Sequence, residues 1–109
     1  MMITNKAIEI IREEIEKRGM KVLKIILFGS RAKGTFREDS DWDILIIIDK
    51  DLPFKEKREL LGSIYKKLAQ NVKESFELFV TSQTRFEELK NLIGTVYYDA
   101  EREGVLLWS

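Results

Sequence analysis

The 109-residue chain contains no cysteine and no histidine. The first absence excludes disulfides and thiolate metal sites, and the second removes the usual general base and the usual zinc ligand. Any catalysis is left to carboxylates, lysine and arginine, hydroxyls, and metal held through oxygen. Net charge is missing too: nineteen basic and nineteen acidic residues cancel. A balanced chain has no general electrostatic drive towards nucleic acid, so nucleic acid is not expected as a partner, a local basic patch apart. No apolar run approaches the roughly 20 residues of a membrane span, and the start lacks a signal-peptide pattern. A cytoplasmic protein without membrane association is expected. Repeats, low-complexity stretches and linkers are absent, which predicts a single domain over residues 1–109. No G-x-G-x-x-G occurs, so a dinucleotide fold has no support. Gly29 and Gly34 have Walker A spacing, but Thr35-Phe36 stands where Lys-Ser/Thr is needed.

What is present is 44% hydrophobic and 35% charged residues. The first value suits a globular protein, and the second is well above the roughly 25% of an ordinary soluble domain. Heavy use of lysine, glutamate and isoleucine with little Asn/Gln hints at a thermophilic source.

Periodicity predicts a helix over Ile3 to Arg18, capped by Thr4 or Asn5, with Ala7, Ile8, Ile11 and Ile15 as its apolar stripe and Gly19 as its stop. Lys21 to Phe28 reads as a strand. Ile44 to Ile48 is apolar without alternation, as in a central strand covered on both faces. Asp49-Lys50-Asp51 and the only proline, Pro53, end it, with Asp49 as a loop or cap residue. A second helix runs from Phe54 or Lys55 to Gln70, with Leu60, Leu61, Ile64, Tyr65 and Leu68 inward and a solvated lysine face outward. Glu74 to Thr81 reads as a third strand. A last helix is predicted from about Thr84 to Glu101, burying Phe86, Leu89, Leu92, Ile93, Val96, Tyr97 and Ala100. Gly104 stops it, and Val105 to Trp108 is an apolar tail suited to covering a sheet edge or a partner. The alternation predicts an α/β (α+β) fold, with one small mixed sheet packed by about three to four helices.

The chain is organised around Leu27 to Ile48, LFGSRAKGTFREDSDWDILIII. An apolar run stops at Gly29-Ser30, ten polar and flexible residues follow, and Asp41-Trp42-Asp43 opens a second apolar run. Side chains alternate along a strand, so Asp41 and Asp43 share a face a few ångströms apart. Such carboxylates repel unless a cation or a shared proton offsets the charge. Mg²⁺ resolves this naturally, because it takes carboxylate oxygens and keeps positions for phosphate. Gly29 lets backbone N–H groups approach a phosphate, and Ser30 adds a hydroxyl at the start of a helical turn. Arg31 and Lys33 lie near enough to add positive charge, and Ser40 to order the turn.

Gly29-Ser30, ten residues, then Asp41-x-Asp43 resembles the signature of the nucleotidyltransferase superfamily related to DNA polymerase beta. The wording GSRAKG and SDWDILI is most similar to its minimal prokaryotic members, the MNT-type proteins encoded beside HEPN partners. The resemblance implies a nucleotidyltransferase-like fold, with Asp41 and Asp43 as metal ligands and catalytic residues. It places Gly29, Ser30, Arg31 and Lys33 at the nucleotide. It also implies a third carboxylate, usually Asp, on a neighbouring strand, and Glu77 in Phe76-Glu77-Leu78 occupies that setting as a further catalytic and metal-binding residue. A Glu there reaches one bond further than Asp, and would need a partner or an exposed face. The activity implied is Mg²⁺-dependent transfer of AMP from ATP to a hydroxyl, the acceptor being a tyrosine of a HEPN-type toxin that the transfer silences. A non-catalytic antitoxin with a vestigial nucleotide site is the alternative. Transfer to a small molecule or a nucleic-acid end is disfavoured, because larger relatives hold such acceptors on extra domains. Homo- or hetero-oligomers fit either reading.

Overall fold

The computed structural model describes residues 5–109. Ile3 and the Thr4 cap lie outside them. Helix α1 (Asn5–Glu16) buries Ala7, Ile10, Ile11 and Ile15, and Gly19 follows at φ 83°, a left-handed turn that redirects the chain into strand β1 (Val22–Phe28). One short helix, α2 (Ser30–Lys33), leads through a loop to β2 (Trp42–Ile48). Helix α3 (Phe54–Asn71) and strand β3 (Phe76–Ser82) follow. Helices α4 (Gln83–Leu89) and α5 (Val96–Glu103) and strand β4 (Val105–Trp108) complete the chain.

The strands form one mixed sheet in the order β3-β2-β1-β4. β2 lies antiparallel to β1 and parallel to β3, and β4 runs antiparallel to β1. The apolar tail therefore covers the open side of β1. Alternation along β2 splits the core in two. Trp42, Ile44, Ile46 and Ile48 pack with α1 and α3 residues such as Ile11, Ile15, Leu60 and Ile64. Leu45 and Ile47 pack on the other face with Phe86 of α4 and Ala100 of α5. A strand covered on both faces has no polar alternation, which is why Ile44 to Ile48 reads as an unbroken apolar run.

The predicted last helix is two helices. Gly94 takes φ 96°, and the Thr95 hydroxyl accepts the N–H of Tyr98 at 3.2 Å, capping α5. Leu92 and Ile93, predicted to be buried, fall in the turn and are 54% and 77% exposed. A glycine followed by threonine is a breaker followed by a cap, a signal that the apolar spacing across it obscures. In α3, Leu60, Ile64 and Leu68 are buried as predicted, whereas Tyr65 lies at the margin. Its hydroxyl accepts the backbone N–H of Leu78 at 2.7 Å, satisfying a donor on edge strand β3. Asp49 is a loop residue, its carboxylate accepting the N–H of Lys21 at 2.9 Å.

Helices α1 and α3 meet through Glu14, which is only 1% exposed. Its carboxylate accepts from Ser63 Oγ at 2.7 Å and pairs with Lys17 at 2.9 Å, Arg18 at 3.1 Å and Lys67 at 3.6 Å. Burial by itself pushes the pKa up, but hydrogen bonds from Ser63, Lys17 and Arg18 outweigh it and hold the group at about 2, against an ordinary 4.5. The unfolded chain therefore takes the proton first, and this contribution to stability is lost as pH falls from about 4.5 to about 2. Glu14→Gln is expected to cost about 2 kcal/mol at neutral pH, the scale of hydrogen bonds to a charged group. Its stability should also fall less steeply below pH 4.5 than that of the wild type. Urea unfolding of both proteins at neutral and acidic pH checks this. Parallel curves through the acid range would show that Glu14 is not the group responsible.

Candidate active site

The register places Phe28 of β1, Asp43 of β2 and Glu77 of β3 side by side across three strands. Asp43 shares the face of Leu45 and Ile47, where α4 and α5 pack, but it lies at the end of β2 where that face is open. Asp41 stands just before β2, beside Ser75: the N–H of Trp42 donates to the Ser75 carbonyl at 2.9 Å, and Ser75 Oγ donates to Asp41 Oδ1. Asp43 is half-buried, and Asp41 and Glu77 are exposed. Glu77 thus meets the requirement for an exposed face and carries no burial penalty. Ser75 was not singled out in the sequence, although its parity with Glu77 marks it as a residue of the same strand face.

Desolvation is the first cause that pushes the Asp43 pKa up, followed by the charges of Glu77 and Asp41. Three carboxylates lie near one another at one sheet end, and the innermost is the one that resists ionising. These are hard oxygen donors of the kind Mg²⁺ takes. They are neighbours and not a closed cage: among the described residues no three acidic side chains are already gathered about one point.

Gly29 joins β1 to α2 at φ 74°, ψ −160°, a conformation essentially confined to glycine. A Cβ here would run into the Asp43 carboxylate. Two demands therefore fall on one residue, a backbone that only glycine adopts and room for the acid on the next strand. Ser30 opens α2 immediately beyond it, and Gly34 closes that single turn at φ 79°.

The structure engages the two nearby cations with protein groups. Arg31 donates to the Ser40 carbonyl through Nε at 3.2 Å and Nη2 at 3.0 Å, and to the Glu38 carbonyl at 3.0 Å. Its guanidinium lies 4.4 Å from the Trp42 ring and 4.5 Å from that of Phe36. Arg31 is thus the strut that holds the loop leading into Asp41. Lys33 pairs with Glu103 at 3.4 Å, tying α2 to the end of α5. Ser40 orders the turn by accepting the Arg37 N–H at 2.9 Å. Arg31→Ala is expected to cost about 1–3 kcal/mol, from lost charged hydrogen bonds and ring stacking, and to expose the loop. Tryptic cleavage after Arg37 should accelerate; an unchanged rate would mean the strut does not order the loop.

A glycine–serine turn set against Asp43, with Asp41 and Glu77 beside it at the end of a mixed sheet, is the donor chemistry that phosphate and a hard cation take. The comparisons with known proteins give the family. The chain belongs to the Polymerase beta, Nucleotidyltransferase family, whose sequence profile matches residues 6–108. It is similar to two Methanocaldococcus jannaschii proteins named "Putative protein adenylyltransferase", MJ0141 and MJ0604. Identity is 42% over 41 residues to the first, covering 38% of this chain and 41% of that protein. To the second it is 53% over 34 residues, covering 31% of this chain and 34% of that protein. The matched stretch is thus less than half of either relative. Among solved structures, a mutant of the toxin–antitoxin MntA-HpeT matches 99% of this chain and 74% of its own at TM-score 0.60 and 23% identity, a likeness of fold. A toxin–antitoxin with AMP-PNP matches 96% of this chain and 72% of its own at TM-score 0.59 and 26% identity.

Proposed function

We propose that this protein transfers AMP from ATP to a hydroxyl, the acceptor being a tyrosine on a HEPN-type toxin partner that the transfer silences. The observation that carries the reading is Gly29, the residue after β1, set against the Asp43 carboxylate, with Glu77 opposite Asp43 on β3, which brings the glycine–serine turn to the acidic cluster. The adenylyltransferase names of its relatives and the AMP-PNP in a toxin–antitoxin of like fold support the choice of nucleotide and of partner class. The single-domain organisation over residues 1–109 belongs to the same reading, with the acceptor supplied by the partner.

Asp41, Asp43 and Glu77 would hold Mg²⁺, which when bound would neutralise charge on the phosphates. The chain's own residues do the rest. Gly29 leaves the backbone open to the phosphates, and Ser30 offers its hydroxyl to the terminal ones. The acceptor oxygen forms a bond to the α-phosphorus as the bond to the β-phosphate oxygen breaks, and pyrophosphate departs in line. The acceptor's proton passes to a carboxylate of the cluster, for which Glu77, exposed and opposite Asp43, is the candidate. Protein catalysis here consists of positioning and electrostatics.

The test is incorporation of α-labelled ATP, with Mg²⁺, into a co-purified partner or whole lysate. Label on a protein band, absent with Asp41→Ala/Asp43→Ala, is the expected result. No label, with partner inhibition surviving the double substitution, would leave a binding antitoxin instead.

A further inference from the structure

At the far end of the sheet from the acidic cluster, the C-terminal ends of the parallel pair β2 and β3 open onto a cavity of about 460 Å³. Asp43 and Ile48 lie five positions apart on β2, roughly 16 Å along the strand, so this cavity is separate from the site above. Its size falls within the ~300–1,000 Å³ of small-molecule pockets. Crevices beyond the carboxyl ends of parallel strands are also where open α/β sheets bind ligands.

Two independent observations give the cavity a chemistry. Thr81 lines it at 3% exposure, and its Oγ1 is buried without a hydrogen-bond partner. A buried hydroxyl left unpaired is costly and calls for a partner from outside the chain. Lys50, Lys57 and Arg85 also line the cavity, and among the described residues none of their side chains makes an ion pair or hydrogen bond. Asp51 and Glu88 line it as well and are equally unpaired, so the cations exceed the carboxylates by one. Leu52 and Phe54, the latter 74% exposed, add an apolar wall.

We propose that this cavity binds a small organic phosphate monoester, its head met by Lys57, Arg85 and the Thr81 hydroxyl and its apolar part by Leu52 and Phe54. Lys57, Arg85 and the hydroxyl offer more donors than the two oxygens of a carboxylate can use, which favours phosphate. The two carboxylates repel a more highly charged polyphosphate, which favours a monoester over a nucleoside triphosphate.

The experiment is an amide NMR titration of the metal-free protein with phenyl phosphate, with phenol, inorganic phosphate and pentaglutamate as comparison probes. Saturable shifts are expected at Lys50 to Leu52 and at Thr81 to Arg85. Lys57→Ala/Arg85→Ala should weaken binding at least about tenfold, the scale of lost charged hydrogen bonds. Thr81→Val replaces the unpaired hydroxyl with a methyl group of the same shape. It should therefore unfold at no lower temperature than wild type and yet bind several-fold more weakly. The proposal is overturned if shifts are confined to Gly29 through Asp43 or do not saturate. It is equally overturned if phenol binds as well as phenyl phosphate, if only pentaglutamate binds, or if Thr81→Val binds as wild type does.

Discussion

Asn at both Asp41 and Asp43 is expected to abolish nucleotide transfer and, without added metal, to leave the protein more stable than wild type. The opposite signs have one cause. Asp43 is pushed above the ordinary 3.8 by its burial and by the charges of Glu77 and Asp41. The folded chain therefore holds the Asp43 proton more tightly than the unfolded chain does. Stability falls as pH rises from about 3.8 through the folded pKa. Asparagine keeps the shape and removes the charge. In a domain of this size about 1 kcal/mol moves Tm by roughly 4–8 °C, so a rise of a few degrees is the expected scale. Transfer should fall by about 10³-fold or more, because the groups proposed to stabilise the reacting phosphates are gone. Millimolar Mg²⁺ should raise the Tm of wild type, as any ligand of the folded state does, and leave the double variant unmoved. Equal Mg²⁺ shifts in both proteins would place the ion elsewhere.

Gly29→Ala carries the second large effect. At φ 74°, ψ −160° an alanine bears backbone strain of about 1–3 kcal/mol. Its Cβ also occupies the space of the Asp43 carboxylate, so that side chain or the β1–α2 turn must move. The combined cost is expected at about 2–4 kcal/mol. Transfer should fall by about 10²-fold, since a misplacement near 1 Å is enough for that. The steric part can be isolated. In an Asp43→Ser background the same Gly29→Ala change should cost less, leaving mainly the backbone strain. A double-mutant cycle from urea unfolding reads the difference as a coupling between the two positions. Strict additivity would show that Gly29 is required by its backbone alone.

Much of this protein is legible in its sequence, because local chemistry dictates it. An absence of alternation in Ile44 to Ile48 marks a strand buried on both faces, and it is one. Asp41 and Asp43 stand two apart at a strand start, so geometry alone assigns them one face. Gly29-Ser30 before a short helical turn is likewise a local pattern, and the turn is there as α2. The break at Gly94-Thr95 was legible as well, but the apolar spacing of Leu89, Leu92, Ile93 and Val96 competes with it and reads as one longer helix.

Other features depend on register and distance across the fold, which no spacing encodes. That Glu77 lies opposite Asp43, and that Ser75 meets Asp41, follows from the parallel pairing of β2 and β3 across a connection containing all of α3. Arg31 reads as a loose charge near a phosphate loop, yet the return of the chain at Ser40 and the rings of Phe36 and Trp42 make it a strut. Glu14 becomes the centre of a buried ion-pair cluster because α3 brings Ser63 and Lys67 against it. Sequence by itself determined which segments form strands and helices and which acids share a face, because those follow from side-chain period and backbone propensity within a few residues. Only the tertiary structure decided which groups meet across strands and helices, because the register and packing that bring distant residues together are set by the core as a whole.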